Sequence, residues 1–350
     1  MTEDTIEVAP EVGVLGFQDL LKLLDMSDGK SDPASSMNTS SVTEFAFLGL
    51  SPSPSIQLLL FVLDSVSYTA ILLGNLLIVV TVHADSHLLQ TPMYFYLANF
   101  SIIDTSLGSV VVPKMLAGRA NYGQTISFGG CMAQVFFLHF FGGTEMLLLT
   151  IMAYDHYVAI CHPLTYTTRM NHPRCRRLLA SCWVGGLIHT ITQLVLVLRL
   201  PFCGPNKLDH FFCDVPQVVR LACADTYSTE ILMAANSGLL SLVCFLILLV
   251  SYGVILVSLR GHFKESGGKA LSTCSSHLTV VSLFFVPCLF VYLVPFSSTG
   301  VDKMASIFYI VVTPALNPMI YTLRNREMKE AMVRLKNRCI FFHSCVNGQK

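Results

Sequence analysis

Seven long apolar stretches, separated by polar loops, dominate the pattern of hydrophobic and polar positions along the chain. They cover roughly residues 60–83, 93–113, 131–154, 178–198, 231–259, 270–296 and 304–323. A helix needs about 20 apolar residues to cross the hydrocarbon core of a bilayer. Each stretch therefore predicts one membrane-spanning helix. Prolines inside the sixth and seventh stretches are compatible with this, because neighbouring helices can satisfy the carbonyls that a proline leaves free.

The composition supports the same fold class. Hydrophobic residues make up 53% of the 350 residues and charged residues 13%, against about 25% charged residues in a soluble protein. We therefore expect an all-α membrane protein, since the short alternating segments of a membrane β-barrel are not seen. The 22 basic and 22 acidic residues balance, so no overall positive field favours a nucleic-acid partner.

Basic residues in the loops predict the orientation. Most Lys and Arg residues follow the third, fifth and seventh stretches, and such residues accumulate on the cytoplasmic side. The N-terminus should then be extracellular, the C-terminus cytoplasmic and the protein located in the plasma membrane. Asn38 begins an Asn-Thr-Ser glycosylation sequon on the predicted outer side. The cysteine-rich loop 199–230 falls on the same side, which suits an oxidising compartment.

The same pattern divides the chain into three parts. Residues 1–59 are predicted to be an extracellular segment, of which 1–36 form an atypical acidic extension. Residues 60–323 form the bundle. Residues 324–350 form a cytoplasmic tail whose sequence REMKEAMVRLKNR predicts a basic amphipathic helix on the lipid surface.

Six motifs identify a family. They are GNLLIVV (74–80), LQTPMYFYLANFSIID (89–104), MAYDHYVAICHPLTY (152–166), SYGVI (251–255), KALSTCSSHLTVV (269–281) and PALNPMIYTLRN (314–325). In this order the set resembles the olfactory receptor family of rhodopsin-like (class A) G-protein-coupled receptors, over about residues 38–340. The resemblance implies a seven-transmembrane helix bundle with a short amphipathic eighth helix. It also implies a small odorant as ligand and a stimulatory, olfactory-type G protein that raises cAMP.

By the same resemblance, a disulfide joins Cys131 to Cys213 and ties the long outer loop to the third span. Cys203 and Cys223 are the remaining pair of cysteines in that region, and we expect them to form a second disulfide. The first bond would fix a cap over the outer end of the bundle.

We expect the ligand between spans three, five, six and seven, in the outer half of the bundle. The candidate wall, called the predicted wall below, comprises Leu138, His139, Gly142, Gly143, Met146, Asn236, Leu240, Phe285, Cys288, Leu289, Tyr292, Ile307 and Ile310. Its few polar groups and lack of a carboxylate favour a small, mostly apolar and uncharged ligand. Ordinary helix packing is the alternative explanation for each of these positions.

The resemblance assigns G-protein coupling and switching to residues toward the cytoplasmic end. They are Asp155, His156, Tyr157, Tyr252, Lys269, Asn317, Pro318 and Tyr321. His156 stands where the family usually has Arg. An imidazole is shorter than a guanidinium and forms no bidentate fork. The sequence therefore leaves two readings open, a tolerated variant and a folded receptor that couples weakly or remains an orphan.

Asp104 and Glu145 are acidic residues inside spans two and three, where ionisable side chains are costly and usually functional. Two close carboxylates do not both ionise without a cation. We expect them to hold Na⁺ or to share a proton, with a hydrogen-bonded structural pair as the alternative. No other cofactor is expected. Asp64, in span one, has no match in the family pattern.

Other functions fit the sequence less well. A transporter or channel would show a charged pathway or paired broken spans in two halves, and the broken spans here are adjacent. The sequence carries none of the hydrolase, zinc-protease or phosphate-loop motifs. We therefore expect a receptor and not an enzyme.

Overall fold

Seven long helices, numbered here as spans one to seven, account for most of the chain that the structure describes. The computed structural model describes residues 42–49, 53–120, 124–260, 267–293 and 300–347. The spans are Pro54–Ala84, Pro92–Arg119, Phe128–Cys161, His172–Leu198, Tyr227–Ala234 with Leu240–Arg260, Gly267–Leu293, and Gly300–Ile307 with Thr313–Arg324. All seven are long and apolar enough to cross a membrane. The predicted seven-helix membrane fold is thus confirmed.

Short helices join the spans and follow them. They are Ser86–Gln90, the 3₁₀ turn Pro163–Thr165, Tyr166–Arg169 and Val215–Val219, which we call the loop helix. The helix predicted beyond span seven is present as Arg326–Asn347, 22 residues long, and is called the tail helix below. Two π-helical segments, Ala235–Leu239 and Phe308–Val312, interrupt spans five and seven.

Three short strands form a small sheet at one end of the bundle. They are β1 (Glu44–Phe47), β2 (Thr125–Ser127) and β3 (Lys207–Leu208), in the order β2-β1-β3. Strand β1 runs antiparallel to β2 and parallel to β3. The sheet thereby joins the segment before span one to the start of span three and to the loop between spans four and five. We call this the disulfide end and the opposite one, where the tail helix lies, the tail end.

Two of the prolines inside the spans, Pro287 and Pro318, leave carbonyls that neighbouring helices satisfy. Pro318 has no N–H to donate to the carbonyl four residues earlier, and the Asn75 side-chain amide of span one donates to that carbonyl, on Pro314, at 3.3 Å. In span six Pro287 likewise frees the Leu283 carbonyl, which accepts from the Thr313 hydroxyl at 3.2 Å. Both proline-containing helices are therefore compatible with a membrane interior.

Gly74, in the GNLLIVV motif, permits the closest approach of spans one and seven. A Cβ atom at this position would lie 2.9 Å from Cβ and Cγ of Pro318. The two backbones can come this close because glycine carries no side chain.

Asp64, which the family pattern left unexplained, forms an ion pair with Arg119. The Nε–Oδ2 distance is 2.6 Å, and both side chains are only 8% exposed. The pair joins span one to the disulfide end of span two. Asp64 is therefore one half of a largely buried ion pair between two helices.

The remaining surface of the bundle is strongly apolar. Leu58, Val66 and Val257 are each more than 60% exposed, and span five has a mean hydropathy of 2.8 in its most apolar window. A soluble protein would not leave so much apolar surface in water. Lipid is the environment that suits this surface.

Candidate functional site

The loop between spans four and five is fixed to the bundle by covalent and hydrogen bonds. The structure contains both expected disulfides, Cys131–Cys213 and Cys203–Cys223. Next to the first of them, the Cys213 backbone N–H donates to Gln134 Oε1 of span three at 2.8 Å. The loop is therefore held directly over the end of span three.

Asp214, the next residue, is a buried acid in contact with span six. Its Oδ1 accepts from the Val215 backbone N–H at 2.9 Å and from the Tyr292 hydroxyl at 3.3 Å. Burial raises the pKa of Asp214 to about 7, and the two hydrogen bonds offset part of that rise. Nearby, burial lowers the pKa of His210 to about 3. Both groups lie in the loop and favour their neutral forms when buried.

Most of the predicted wall is buried in the apolar core of the bundle, which extends from Phe211 of the loop to Met328 of the tail helix. The structure buries Leu138, Met146, Phe285, Cys288, Tyr292 and Ile310 in a common apolar cluster, with Leu240 and Ile307 packed against it. The rings of His139 and Tyr292 have centroids 5.9 Å apart, which connects the faces of spans three and six. Leu289 is half-buried on span six. Whether any of these residues touches an odorant stays a prediction.

Two members of the predicted wall contact span four, and a third faces open space among the described residues. A Cβ on Gly143 would lie 2.9 Å from the His189 ring, so this glycine faces span four and does not leave space for a ligand. Asn236 donates to the His189 carbonyl at 3.2 Å and also contacts span four. A Cβ on Gly142 would meet no atom within 4 Å among the described residues.

A cavity of about 390 Å³ lies beside the predicted wall. The loop helix and the adjoining ends of spans four, five and six surround it, and Tyr292 is the predicted wall residue that lines it among those described. Its other lining residues include Gln193, which the sequence analysis did not select. No sequence signal distinguishes this glutamine, because its role depends on what spans four and five bring near it.

Asp104 and Glu145 are both fully buried inside the bundle. Asn317 of span seven donates to Asp104 Oδ2 at 2.8 Å. Asp104 Oδ1 and both Glu145 oxygens have no hydrogen-bond partner among the described residues. Within the part of the chain that the structure describes, no group of three or more His, Cys, Asp or Glu side chains could hold a metal ion.

The coupling residues meet near the tail end. His156 Nδ1 lies 3.0 Å from the Tyr252 hydroxyl, which also contacts Nδ1 of His277 on span six. Asp155 does not bond the His156 side chain. Its Oδ1 accepts from the Tyr166 hydroxyl at 2.9 Å. His156 therefore links spans three, five and six through a chain of hydrogen bonds. His277 completes this chain, and the sequence analysis did not anticipate it.

Three further predicted coupling positions, Tyr157, Tyr321 and Lys269, lie on spans three, seven and six. Tyr157 contacts Nε2 of His162 at 3.0 Å. The Tyr321 ring packs edge-on against Phe100, and its hydroxyl has no partner among the described residues. Lys269 lies near the start of span six. Asn38 lies outside the described residues.

The tail helix is attached to the ends of spans one and two. The Asn325 side chain accepts from the Met328 backbone N–H at 3.1 Å, so it caps the first turn of the helix. The Tyr94 hydroxyl, with its one proton, lies 2.9 Å from that same Asn325 oxygen and 3.0 Å from a Glu327 carboxylate oxygen, both of which can accept from it. Arg334 pairs with Asp85 at 2.6 Å and lowers the pKa of that carboxyl.

The sequence matches the family described as olfactory receptor over residues 64–338. Human olfactory receptor 4Q3 is 62% identical over 297 residues, which cover 85% of this chain and 95% of that receptor. Mouse olfactory receptor 4E2 is 55% identical over 304 residues, or 87% and 98% of the two chains. Human olfactory receptor 4K14 is 54% identical over 305 residues, again 87% and 98%. Together with the seven apolar helices, these matches show that the chain belongs to the olfactory receptor family, as a multi-pass membrane receptor and not an enzyme.

Proposed function

We propose that the protein binds a small, mostly apolar and uncharged odorant at the disulfide end and activates a stimulatory, olfactory-type G protein at the tail end. The main observation in support of this proposal is that the predicted wall and the coupling residues occupy opposite ends of the same helices. His139 and His156 of span three are separated by about 25 Å at 1.5 Å per residue. Tyr292 and His277 hold the corresponding positions on span six.

The proposed signal passes along spans three and six. A ligand beside His139 and Tyr292 would favour one packing of these spans over another, and differential binding is what shifts such an equilibrium. At the tail end, span six can move outward only when the contact between Tyr252 and His277 breaks. Separation of that contact would open the cleft that receives the G protein.

His156 supports a second candidate, a folded receptor that couples weakly or has no effective ligand. The imidazole already uses Nδ1 on Tyr252, and it lacks the five donors of a guanidinium. A transporter is a weaker alternative, because it would need an ion pathway through the bundle.

The test measures cAMP in cells that express the chain, stimulated with a panel of odorants, beside the His156→Arg variant. A response by both, stronger in the variant, is the result we expect. A response by the variant alone would favour the weakly coupling receptor. If neither the wild-type receptor nor the variant responds, although antibody shows both at the cell surface, the result would count against odorant reception.

We also propose that the disulfide end is extracellular and the tail helix cytoplasmic, in the plasma membrane, with a glycan on Asn38. The oxidising conditions that disulfides need support this orientation. When the receptor carries a tag at each terminus, antibody staining of intact cells should detect only the N-terminal tag. Asn38→Gln should lower the apparent mass by one glycan. Staining of both termini without permeabilisation would contradict the orientation.

A sodium ion between Asp104 and Glu145 is part of the same proposal. The free carboxylate oxygens there are hard ligands of the kind that such cations prefer, and a cation would offset the cost of two buried carboxylates. The alternative is a shared proton. If Na⁺ binds, replacing it by a larger organic cation should change receptor signalling, and Glu145→Asn should remove that sensitivity. Unchanged sensitivity in the variant would exclude the ion.

A further inference from the structure

One residue that lines the cavity beside the loop helix has a buried acceptor without a donor among the described residues. Gln193 of span four is 1% exposed and lines the cavity. Its Nε2 donates to the Met233 carbonyl at 3.2 Å and to the Ser237 hydroxyl. Its Oε1 is buried and has no partner among the described residues.

The chemistry of its neighbours fixes which way this amide points. A backbone carbonyl can only accept a hydrogen bond, so the atom next to the Met233 oxygen must be the amide nitrogen. If the amide were flipped, Gln193 Oε1 would face the Met233 carbonyl oxygen, and neither atom could donate a hydrogen bond. Oε1 is therefore the atom left over, and it needs a donor.

The π-helical segment of span five creates this arrangement. Ala235–Leu239 shifts the hydrogen-bond ladder of the helix, and the side chain of Gln193 reaches the Met233 carbonyl just before that segment. Such π segments occur frequently at functional sites. Asn236, inside the segment, donates to the His189 carbonyl. Three side-chain hydrogen bonds, two from Gln193 and one from Asn236, therefore hold spans four and five together beside the cavity.

The rest of the cavity is mainly apolar. Val215, Val219, Met233 and Ala234 contribute hydrocarbon surface. Arg220 is exposed, and Glu230 accepts from the Thr226 hydroxyl at 2.6 Å. The cavity is partly open to its surroundings, and its volume of about 390 Å³ includes that open space. A guest would therefore meet mainly apolar walls, with Gln193 as the buried amide among the described lining residues.

We propose that this cavity is part of the odorant site and that it selects molecules carrying a hydroxyl group, which donates to Gln193 Oε1. The inference rests on the proposed odorant function and specifies the chemical class of its ligand. Tyr292 lines the cavity and belongs to the predicted wall, so a bound alcohol would contact the faces expected to respond to it.

The test compares octanol, cyclohexanol and benzyl alcohol with their methyl ethers, which keep the oxygen but cannot donate. We expect each alcohol to be at least about ten-fold more potent than its ether in the cAMP assay, because sites built around a hydrogen bond discriminate against analogues that lack it. Gln193→Met should reduce that ratio to near one and still allow responses to the ethers.

Two variants separate recognition from structure. Ser237→Ala removes a bond to Nε2 and leaves Oε1 in place, so the preference for alcohols should persist. Ala234→Phe fills the cavity and should weaken alcohols and ethers alike. A Ser237→Ala variant that loses the preference would show that Gln193 acts only by holding spans four and five together, and would overturn the proposal.

The outcomes distinguish this proposal from the underlying function. Equal potency of alcohols and ethers in the unmodified receptor would overturn the alcohol preference, with Oε1 satisfied by water, and leave odorant reception intact. Higher potency of the matching amines would assign recognition to Glu230 and also overturn it. If no compound signals, thermal unfolding of the purified receptor decides. Octanol must then raise the unfolding temperature more than its methyl ether does, and this difference between the two compounds must disappear in Gln193→Met.

Discussion

At the scale of single residues, the ion pair of Asp64 and Arg119 shows how a charge is accommodated between two helices. Removing one member leaves the other charge largely buried and unpaired, which typically costs about 3–5 kcal/mol. Replacing both by apolar residues of similar size costs far less, because no charge then remains to be desolvated. The pair therefore specifies how spans one and two meet more than it adds stability.

Asp64→Leu and Arg119→Met should each lower the unfolding temperature of the purified receptor, and the double variant should recover most of the loss. A double-mutant cycle on unfolding measures the coupling. Additive losses would show that the two side chains do not act as a pair.

Asp214 provides a second test at this scale, through pH. Its pKa rises from 3.8 to about 7 on folding, so between these values the folded protein binds more protons than the unfolded one. Stability contributed by Asp214 is therefore present below about pH 4 and lost as pH rises to about 7, on the order of 4 kcal/mol in total. His210 opposes this trend, because its lowered pKa costs stability as pH falls below about 6.5.

The difference between wild type and Asp214→Asn isolates the carboxyl from His210. The variant should gain stability relative to wild type as pH rises from about 4 to 7, while its amide oxygen still accepts from Val215 and Tyr292. The measurement is unfolding temperature against pH for both proteins. If the two curves of unfolding temperature against pH run parallel, burial does not shift the pKa of Asp214.

At the scale of elements, helix contacts are set by a few small or polar side chains at crossing points. Gly74 lets span one meet Pro318 of span seven, and Asn75 beside it donates to the carbonyl that this proline frees. The motif GNLLIVV therefore supplies both the space and the hydrogen bond that a proline-containing partner requires.

Gly74→Ala should destabilise the receptor by about 1–3 kcal/mol, because the new methyl group must displace Pro318. Gly253→Ala is the matched control. A Cβ there meets no atom within 4 Å among the described residues, so helix propensity should make it neutral or stabilising by up to about 1 kcal/mol. Surface expression and unfolding temperature measure both. Equal effects would mean that the contact with Pro318 is not limiting.

At the scale of the whole molecule, the disulfide end is closed by segments far apart in the chain. Phe45 of β1 is fully buried, with ring centroids 6.0 Å from both Phe128 and Phe202. Strand β1 thereby connects the segment before span one with span three and the loop that holds both disulfides.

Phe45→Ala should cost about 3–5 kcal/mol and lower surface expression, because the sheet loses its aromatic anchor. Leu48→Ala, in the same segment but 56% exposed, should change stability by less than about 0.5 kcal/mol. Cell-surface labelling compares the two variants. A normal level for Phe45→Ala would show that the sheet is dispensable for folding.

The sequence by itself determined the seven helices, because a bilayer imposes a length and an apolar composition that can be read locally. Its motifs likewise indicated the family. The resemblance implied the disulfide Cys131–Cys213, which left Cys203 and Cys223 as the second expected pair. The tertiary structure decided what depends on crossing points: the partner of Asp64, the side of span three that Gly143 faces, and the sheet around β1. It also decided that Gln193 meets the π segment of span five. Residues in such contacts come from distant parts of the chain, so no local pattern encodes which atoms meet.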